Sequence, residues 1–437
     1  MIVPRLPRAR WWVALGVVAI AAVLRLAALG SPGEAYFDET YYANDARLYL
    51  IGTEAYDSPL DFNPESPPGQ PPPSVALRGE RSYVHPPLGK WVIAAGDLLA
   101  LRTDSLWGFR LSSAIFGIGT VLLVYLIGLE IFGSSVVWAG LAALFAALDG
   151  LLIVQSRVSM LDGILAGFVC LGVWCLLHDR RQPNLWWRLG GGAALGAAVA
   201  TKWSGALALV AAAAFTLAWS IRRGGWRREW WTLAVAFVAL PVVIYVSSFG
   251  AFFAQKGASP SAFWDLHKQM LDYHSDLDQG HTYQSPPSSW PIMRRPVAYY
   301  YDEQQGTVHH IVALGNPGLW WPFLIAAPAL LALAFTRSGW GARVVFGFYA
   351  AQYLPWFVAA RSRTVQFLFY MTPAVPFMAL GLVLTIRAIN HLRFRRAAAV
   401  AATLLVVAGI ALWLPVWIGY GVKSGYWRQL MIFRSWI

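Results

Sequence analysis

A chain of 437 residues that is 57% hydrophobic and only 13% charged falls well below the roughly 25% charged residues of an ordinary soluble domain. Its net charge of +12 is broken into short basic clusters between apolar runs, which excludes the continuous basic surface of a nucleic-acid binder. The apolar runs approach the roughly 20 residues that cross a hydrocarbon core, so the fold class is all-α, a polytopic integral membrane protein.

The first run, 11–29, follows Arg5, Arg8 and Arg10 and lacks a small-x-small cleavage signal. It reads as a retained first helix and not as a signal peptide. The polar stretch 30–87 comes next, rich in acids and holding the proline tract 64–73, which cannot form a membrane helix. It opens with the adjacent carboxylates Asp38 and Glu39 in Tyr36-Phe37-Asp38-Glu39-Thr40-Tyr41-Tyr42, and closes on His85-Pro86-Pro87-Leu88-Gly89-Lys90. The segment 87–101 is short and carries Lys90 and Asp97, as an interfacial or re-entrant helix would. Runs 109–132, 135–154 and 161–177 then cross three times to reach Arg180, Arg181 and Arg188. Arg110 begins the first of these, and Arg157 and Asp162 lie between the other two. Charged groups at that depth pair with each other or bind something. Cys170 and Cys175 sit inside one apolar run and read as small buried residues.

The run 189–219 is too long for one crossing and carries Lys202 at its middle. A lysine costs about 2.5–3.5 kcal/mol at mid-membrane, so two short helices turning near Lys202 are expected. Run 231–253, a second polar loop 254–318, and runs 319–335, 344–360, 365–386 and 397–417 complete eleven expected crossings. With the basic clusters inside, against anionic headgroups, the amino end is cytoplasmic. The carboxyl end and both long loops are then extracytoplasmic. Arg361 and Arg363 fall outside, against the charge rule, as does the turn at Lys202. A phosphate at headgroup level accounts for such exceptions, and snorkelling is the plainer alternative. His85, His267, His309, His310 and Asn316 are acceptor or loop candidates. The histidine spacing fits no compact metal motif, so the sequence points to no metal site or cofactor and leaves a divalent-metal requirement open.

The outer face thus collects carboxylates, cations and aromatics. That set suits transfer from a lipid-linked phosphate to a polar acceptor, with a carboxylate taking the hydroxyl proton and cations steadying the leaving phosphate. The residue pattern leaves open which of Asp38 and Glu39 is the base. A transporter or flippase would spread polar groups through the membrane instead of along one side.

From Arg25 almost to Ile437 the chain resembles the protein O-mannosyltransferase family, of the bacterial and actinobacterial type. The markers are Phe37-Asp38-Glu39 with Tyr41-Tyr42, His85-Pro86-Pro87-Leu88-Gly89-Lys90-Trp91, Gly108-Phe109-Arg110, Gln155-Ser156-Arg157 with Leu161-Asp162, Thr201-Lys202-Trp203-Ser204, Leu314-Gly315-Asn316-Pro317, Phe369-Tyr370-Met371-Thr372-Pro373 and Trp427-Arg428. The resemblance implies a GT-C-type glycosyltransferase architecture with an extracytoplasmic active site in the bacterial cell membrane. It implies a polyprenyl-phosphate-mannose donor and Ser or Thr hydroxyls of exported polypeptides as acceptors, with membrane lipids and the secretion translocon as further partners. It implies inversion at the anomeric carbon, with the first of the acidic pair, Asp38, catalytic. Arg110, Arg157, Asp162, Lys202, Arg361 and Arg363 are then candidates for the donor phosphate or for support of the site. A related lipid-phosphate-sugar transferase acting on another sugar, or on a lipid or cell-wall glycan, is the alternative. Loop 254–318 is too short for the soluble repeat insert of eukaryotic members, so acceptor selection by such an insert is absent.

Overall fold

Backbone groups in lipid must be satisfied within the segment, and the computed structural model, which describes residues 8–51, 84–101, 106–275 and 280–437, is a bundle of helices. The proline tract 64–73 lies outside the described residues. The chain runs α1 (Arg8–Leu26), α2 (Glu39–Ile51), α3 (Leu88–Leu99), α4 (Leu106–Ile131), α5 (Val136–Ala147), α6 (Gly150–Gln155), α7 (Leu161–Arg181), α8 (Leu185–Thr201) and α9 (Gly205–Arg222). There follow α10 (Trp226–Ala234), α11 (Leu240–Ser248), α12 (Gly250–Lys256), α13 (Pro260–Ser275), β1 (Val297–Gln304), β2 (Thr307–Ala313), α14 (Pro317–Ala334), α15 (Trp340–Tyr353), α16 (Pro355–Ala359), α17 (Val375–Arg387), α18 (Leu392–Ile418), β3 (Val422–Lys423) and α19 (Ser424–Leu430).

Among the described residues, eight helical stretches are long and apolar enough to cross a membrane. The other three expected crossings fall on shorter helices, α5, α8 and α15. α10 and α11 form one of the eight stretches, joined by a π-helical turn over Val235–Ala239 and followed by Pro241. Gly192 lets α8 lie against that turn, since a Cβ there would overlap the Ala236 carbonyl. The expected break near Lys202 is present, with α8 ending at Thr201 and α9 starting at Gly205.

Polar contacts show which helix ends lie together. The start of α4 holds Arg110, which reaches Glu39 at the start of α2 and the carbonyls of Leu29 and Pro32 beyond α1. Asp162 opens α7 and binds Lys202 just past α8. At the other end, Glu130 of α4 lies 3.7 Å from both His178 and Arg181 of α7, and the Tyr125 hydroxyl donates to the Arg10 carbonyl at 2.9 Å. That end also buries Arg188, forked onto Asp179 and reaching Glu229 at 3.0 Å.

Two elements depart from the expectation of helices joined by plain loops. The first is α2, set in the polar stretch 30–87 and packed on α3. A buried Lys90–Asp45 ion pair of 2.7 Å joins the two. The second is a three-stranded antiparallel sheet of order β1-β2-β3 within and beyond the loop 254–318. Gly419, at φ +75°, ends α18 in the left-handed region where glycine is free of Cβ strain, and the chain turns from there into β3. The sheet is tied down by Trp427 Nε1 donating to His310 Nδ1 at 3.0 Å and by Trp436 Nε1 donating to the Met293 carbonyl at 2.7 Å.

Candidate active site

Asp38 immediately precedes α2, and its carbonyl accepts from the amides of Tyr41 and Tyr42 at 3.0 and 3.1 Å. Its side chain keeps partial access to solvent, and among the described residues no donor hydrogen-bonds the carboxylate. Enclosure pushes its pKa up to about 6; Lys202 draws it down and Asp162 raises it. Lys202, extended at the end of α8, places Nζ 2.9 Å from both oxygens of Asp162. Both members of that pair are buried, and the ammonium lies 4.7 Å from the ring centre of Tyr370. The structure therefore brings together Asp38, Asp162 and Lys202 from three separate stretches of sequence.

Cationic and aromatic groups continue from this centre. Arg363 donates to the Tyr370 hydroxyl at 2.9 Å, to the Val365 carbonyl at 2.8 Å, and to His274 Nδ1 at 3.3 Å. Since Arg363 can only donate, Nδ1 of His274 is the acceptor and its Nε2–H donates to the Val84 carbonyl at 2.9 Å. Burial, then Arg363, lowers the His274 pKa to about 4. His85 stacks on His274 with ring centres 5.0 Å apart. Burial holds His85 well below the usual imidazole range, reinforced by Lys202, His274, Lys90 and Arg363. Both rings are neutral near pH 7. A wall of a lysine, an arginine and two neutral imidazoles suits an anionic headgroup.

The other predicted residues are engaged elsewhere. Glu39 accepts a two-pronged pair from Arg110, at 2.8 and 2.7 Å, and the Ser159 amide at 3.0 Å, all in a buried setting. The acidic pair is thus split, with Asp38 near Lys202 and Asp162 and Glu39 held by Arg110. Arg110 also donates to the carbonyls of Leu29, Pro32 and Glu34. Arg157 does not pair with Asp162; it donates to the carbonyls of Leu24, Arg25, Ala27 and Ala28. Those carbonyls lie in the last turn of α1 and just beyond it, a natural place for a cation. Arg361 is exposed. His267 bonds the Tyr245 hydroxyl and the Phe263 carbonyl, both at 2.8 Å. His309 bonds the Gly419 carbonyl and His310 accepts from Trp427, both at the sheet. Asn316 caps α14 and donates to the carbonyls of Leu148 and Val406. Among the described residues no group of three or more His, Cys, Asp and Glu side chains is placed to hold a metal.

The contacts of Glu39 hold the start of α2 against Arg110 of α4 and the Ser159 amide. Glu39→Ala strands a buried guanidinium and is expected to lower stability by about 3–5 kcal/mol, read as a fall in the denaturant midpoint. An unchanged midpoint would remove that role.

His274, Tyr370, Tyr299 and Gln155 complete the surroundings of this centre, and the sequence pattern singled out none of them as a site residue. Tyr370 and Gln155 stood in recognisable motifs, whereas His274 was one histidine among several in a loop.

Solved structures share this arrangement of helices. The chain superposes on a Saccharomyces cerevisiae protein O-mannosyltransferase, the Pmt1-Pmt2 complex bound to the sugar donor, with TM-score 0.81 at 14% identity, covering 100% of this chain and 93% of that one. It also superposes on ArnT from Cupriavidus metallidurans bound to undecaprenyl phosphate, with TM-score 0.57 at 18% identity, covering 96% and 76%. The fold is that of the GT-C class of membrane glycosyltransferases. Residues 16–255 match the family described as dolichyl-phosphate-mannose-protein mannosyltransferase, and residues 260–436 match the C-terminal four-TMM region of protein-O-mannosyltransferase. Among curated relatives, the polyprenol-phosphate-mannose--protein mannosyltransferase of Mycolicibacterium smegmatis (strain MKD8) is 30% identical, with 99% of this chain and 94% of that protein covered. The same-named protein of Corynebacterium glutamicum is 26% identical, with 99% and 96% covered. The chain belongs to the protein O-mannosyltransferase family and is a glycosyltransferase.

Proposed function

We propose that this enzyme transfers mannose from a polyprenyl-phosphate-mannose donor to Ser or Thr hydroxyls of exported polypeptides, with inversion, at an extracytoplasmic site of the bacterial cell membrane. The observation that carries the reading is Asp38, a carboxylate that no donor among the described residues hydrogen-bonds, beside the buried Lys202–Asp162 pair. The names of the full-length relatives support the choice of donor and of a protein acceptor. The acceptor hydroxyl oxygen forms a bond to the anomeric carbon as the bond from that carbon to the phosphate oxygen breaks. The electron pair leaves with polyprenyl phosphate, and the hydroxyl proton passes to Asp38. Lys202 and Arg363 face the departing phosphate, a placement that counts most when charge develops there. Membrane lipids surround the bundle, and an acceptor emerging from the secretion translocon meets the site before it folds.

The test is mass spectrometry of a Ser/Thr-rich peptide after incubation with mannosyl polyprenyl phosphate and the purified protein in lipid nanodiscs. A peptide carrying one added hexose on a hydroxyl is the expected product. An unmodified peptide, with mannose appearing instead on an added lipid or glycan acceptor, would replace this reading with that of a sister transferase.

A further inference from the structure

Two backbone irregularities meet in one aromatic stack beside Asp38. Phe37 has φ +54°, in the left-handed region that a bulky residue seldom adopts and that persists only where its surroundings enforce it. On the facing strand, the register between β1 and β2 slips at Tyr299, between Ala298 and Tyr300. Bulges of this kind re-aim a side chain and recur beside active sites. The rings of Phe37 and Tyr299 stack with centres 4.2 Å apart and planes 13° from parallel. Both meet the edge or face of Phe369, at 5.7 and 5.8 Å. The Tyr299 hydroxyl is fixed from a third element, accepting from Gln155 Nε2 at 2.7 Å. Tyr299 lies close enough to Asp38 and Asp162 for both carboxylates to act on its phenol, which burial already pushes well above its usual range.

Asp38 follows Phe37 directly and opens α2. The φ of Phe37 therefore fixes the direction in which the Asp38 carboxylate leaves the chain. We propose that Tyr299 is a positioning residue: its ring, held by the strand bulge, keeps Phe37 in the left-handed conformation and so aims the Asp38 carboxylate at the acceptor hydroxyl. This rests on Asp38 being the base. Glu39, locked to Arg110 on the other side, holds the start of the same helix, so the acid is steered from both flanks.

The experiment compares Tyr299→Phe, Tyr299→Ala and Asp38→Asn in the full-length enzyme. Misplacing a reacting group by about 1 Å costs on the order of 100-fold in rate. Tyr299→Ala is expected to lower kcat by about 10- to 100-fold with the donor KM little changed. The acid limb of its pH–rate profile should move from about 6 toward the ordinary carboxylate range, as the released side chain gains water. Tyr299→Phe keeps the stack and restores most of kcat and the position of the limb. Should Tyr299→Ala fail to fold, Tyr299→Leu fills the volume without the flat ring and is read in the same way. Wild-type kcat in the Ala or Leu variant overturns the proposal, and so does a fixed acid limb despite lost rate. A Phe variant as impaired as Ala assigns the effect to the hydroxyl and rejects the stack. Asp38→Asn separates the two claims. If it is inactive while Tyr299→Ala is normal, only the positioning role falls. If it turns over like wild type, the base assignment falls first.

Discussion

Asp38→Asn is expected to lower mannosyl transfer by about 10²- to 10⁴-fold, the range that a positioned general base supplies, while donor binding survives. The change keeps the side chain's shape and removes its ability to take a proton. It touches neither Arg363 nor the Lys202–Asp162 pair, whose contacts are made without Asp38. Removing a negative charge that acts on Lys202 leaves that ammonium more available to a phosphate. Donor affinity should therefore hold or tighten slightly. Single-turnover transfer and equilibrium donor binding measure the two halves separately. The pH profile adds a sign. Only the ionised carboxylate accepts a proton, so kcat/KM of the wild type rises as pH increases through about 6 and then levels. Residual activity of the variant should lack that limb. Wild-type turnover by Asp38→Asn would end the assignment.

Lys202→Met is expected to have two effects that a second substitution pulls apart. It leaves Asp162 as an unpaired buried carboxylate, which destabilises by about 3–5 kcal/mol when one member of such a pair is removed. It also deletes a cation that faces the donor phosphate in the proposed reaction. In the double variant Lys202→Met/Asp162→Asn the stranded charge is gone, so most of the stability should return while donor affinity stays weak. Asp38 reports on the same change. Lys202 draws its pKa down, so the acid limb of any residual activity should rise above its wild-type position. Unfolding midpoints and donor dissociation constants of the single and double variants check this. A double variant that binds donor as tightly as wild type would remove Lys202 from phosphate recognition.

The sequence made the bundle legible because apolar runs of membrane length leave few alternatives. It also marked the turn at Lys202, because a lysine in the middle of an overlong run needs an exit to water. It was less informative about partners. Arg110 and Glu39 are 71 positions apart, and Arg157 meets carbonyls more than a hundred residues away. Periodicity says nothing about pairings at such separation, so the sequence left Arg110 and Arg157 between phosphate binding and support of the site without naming the groups they meet. The helix α2 was hidden by its mixed polar and aromatic composition, Glu-Thr-Tyr-Tyr-Ala-Asn-Asp, which packs on α3 and on the α4 side instead of facing lipid. Strand β1 was hidden differently. Its residues Tyr299, Tyr300 and Tyr301 suit an interfacial belt as well as a strand, and only pairing with β2 decides between them.

The stacked imidazoles have a consequence for how the enzyme responds to acid. His85 is held far below its ordinary range and His274 titrates near 4, because each lies among cations in an enclosed space. Going from neutrality to about pH 5, neither ring picks up charge, whereas Asp38 does take up a proton near 6. Of these three groups, one proton on one carboxyl therefore separates the working enzyme from the idle one. In the proposed reaction the grip on the anionic headgroup then stays constant while the chemistry is throttled.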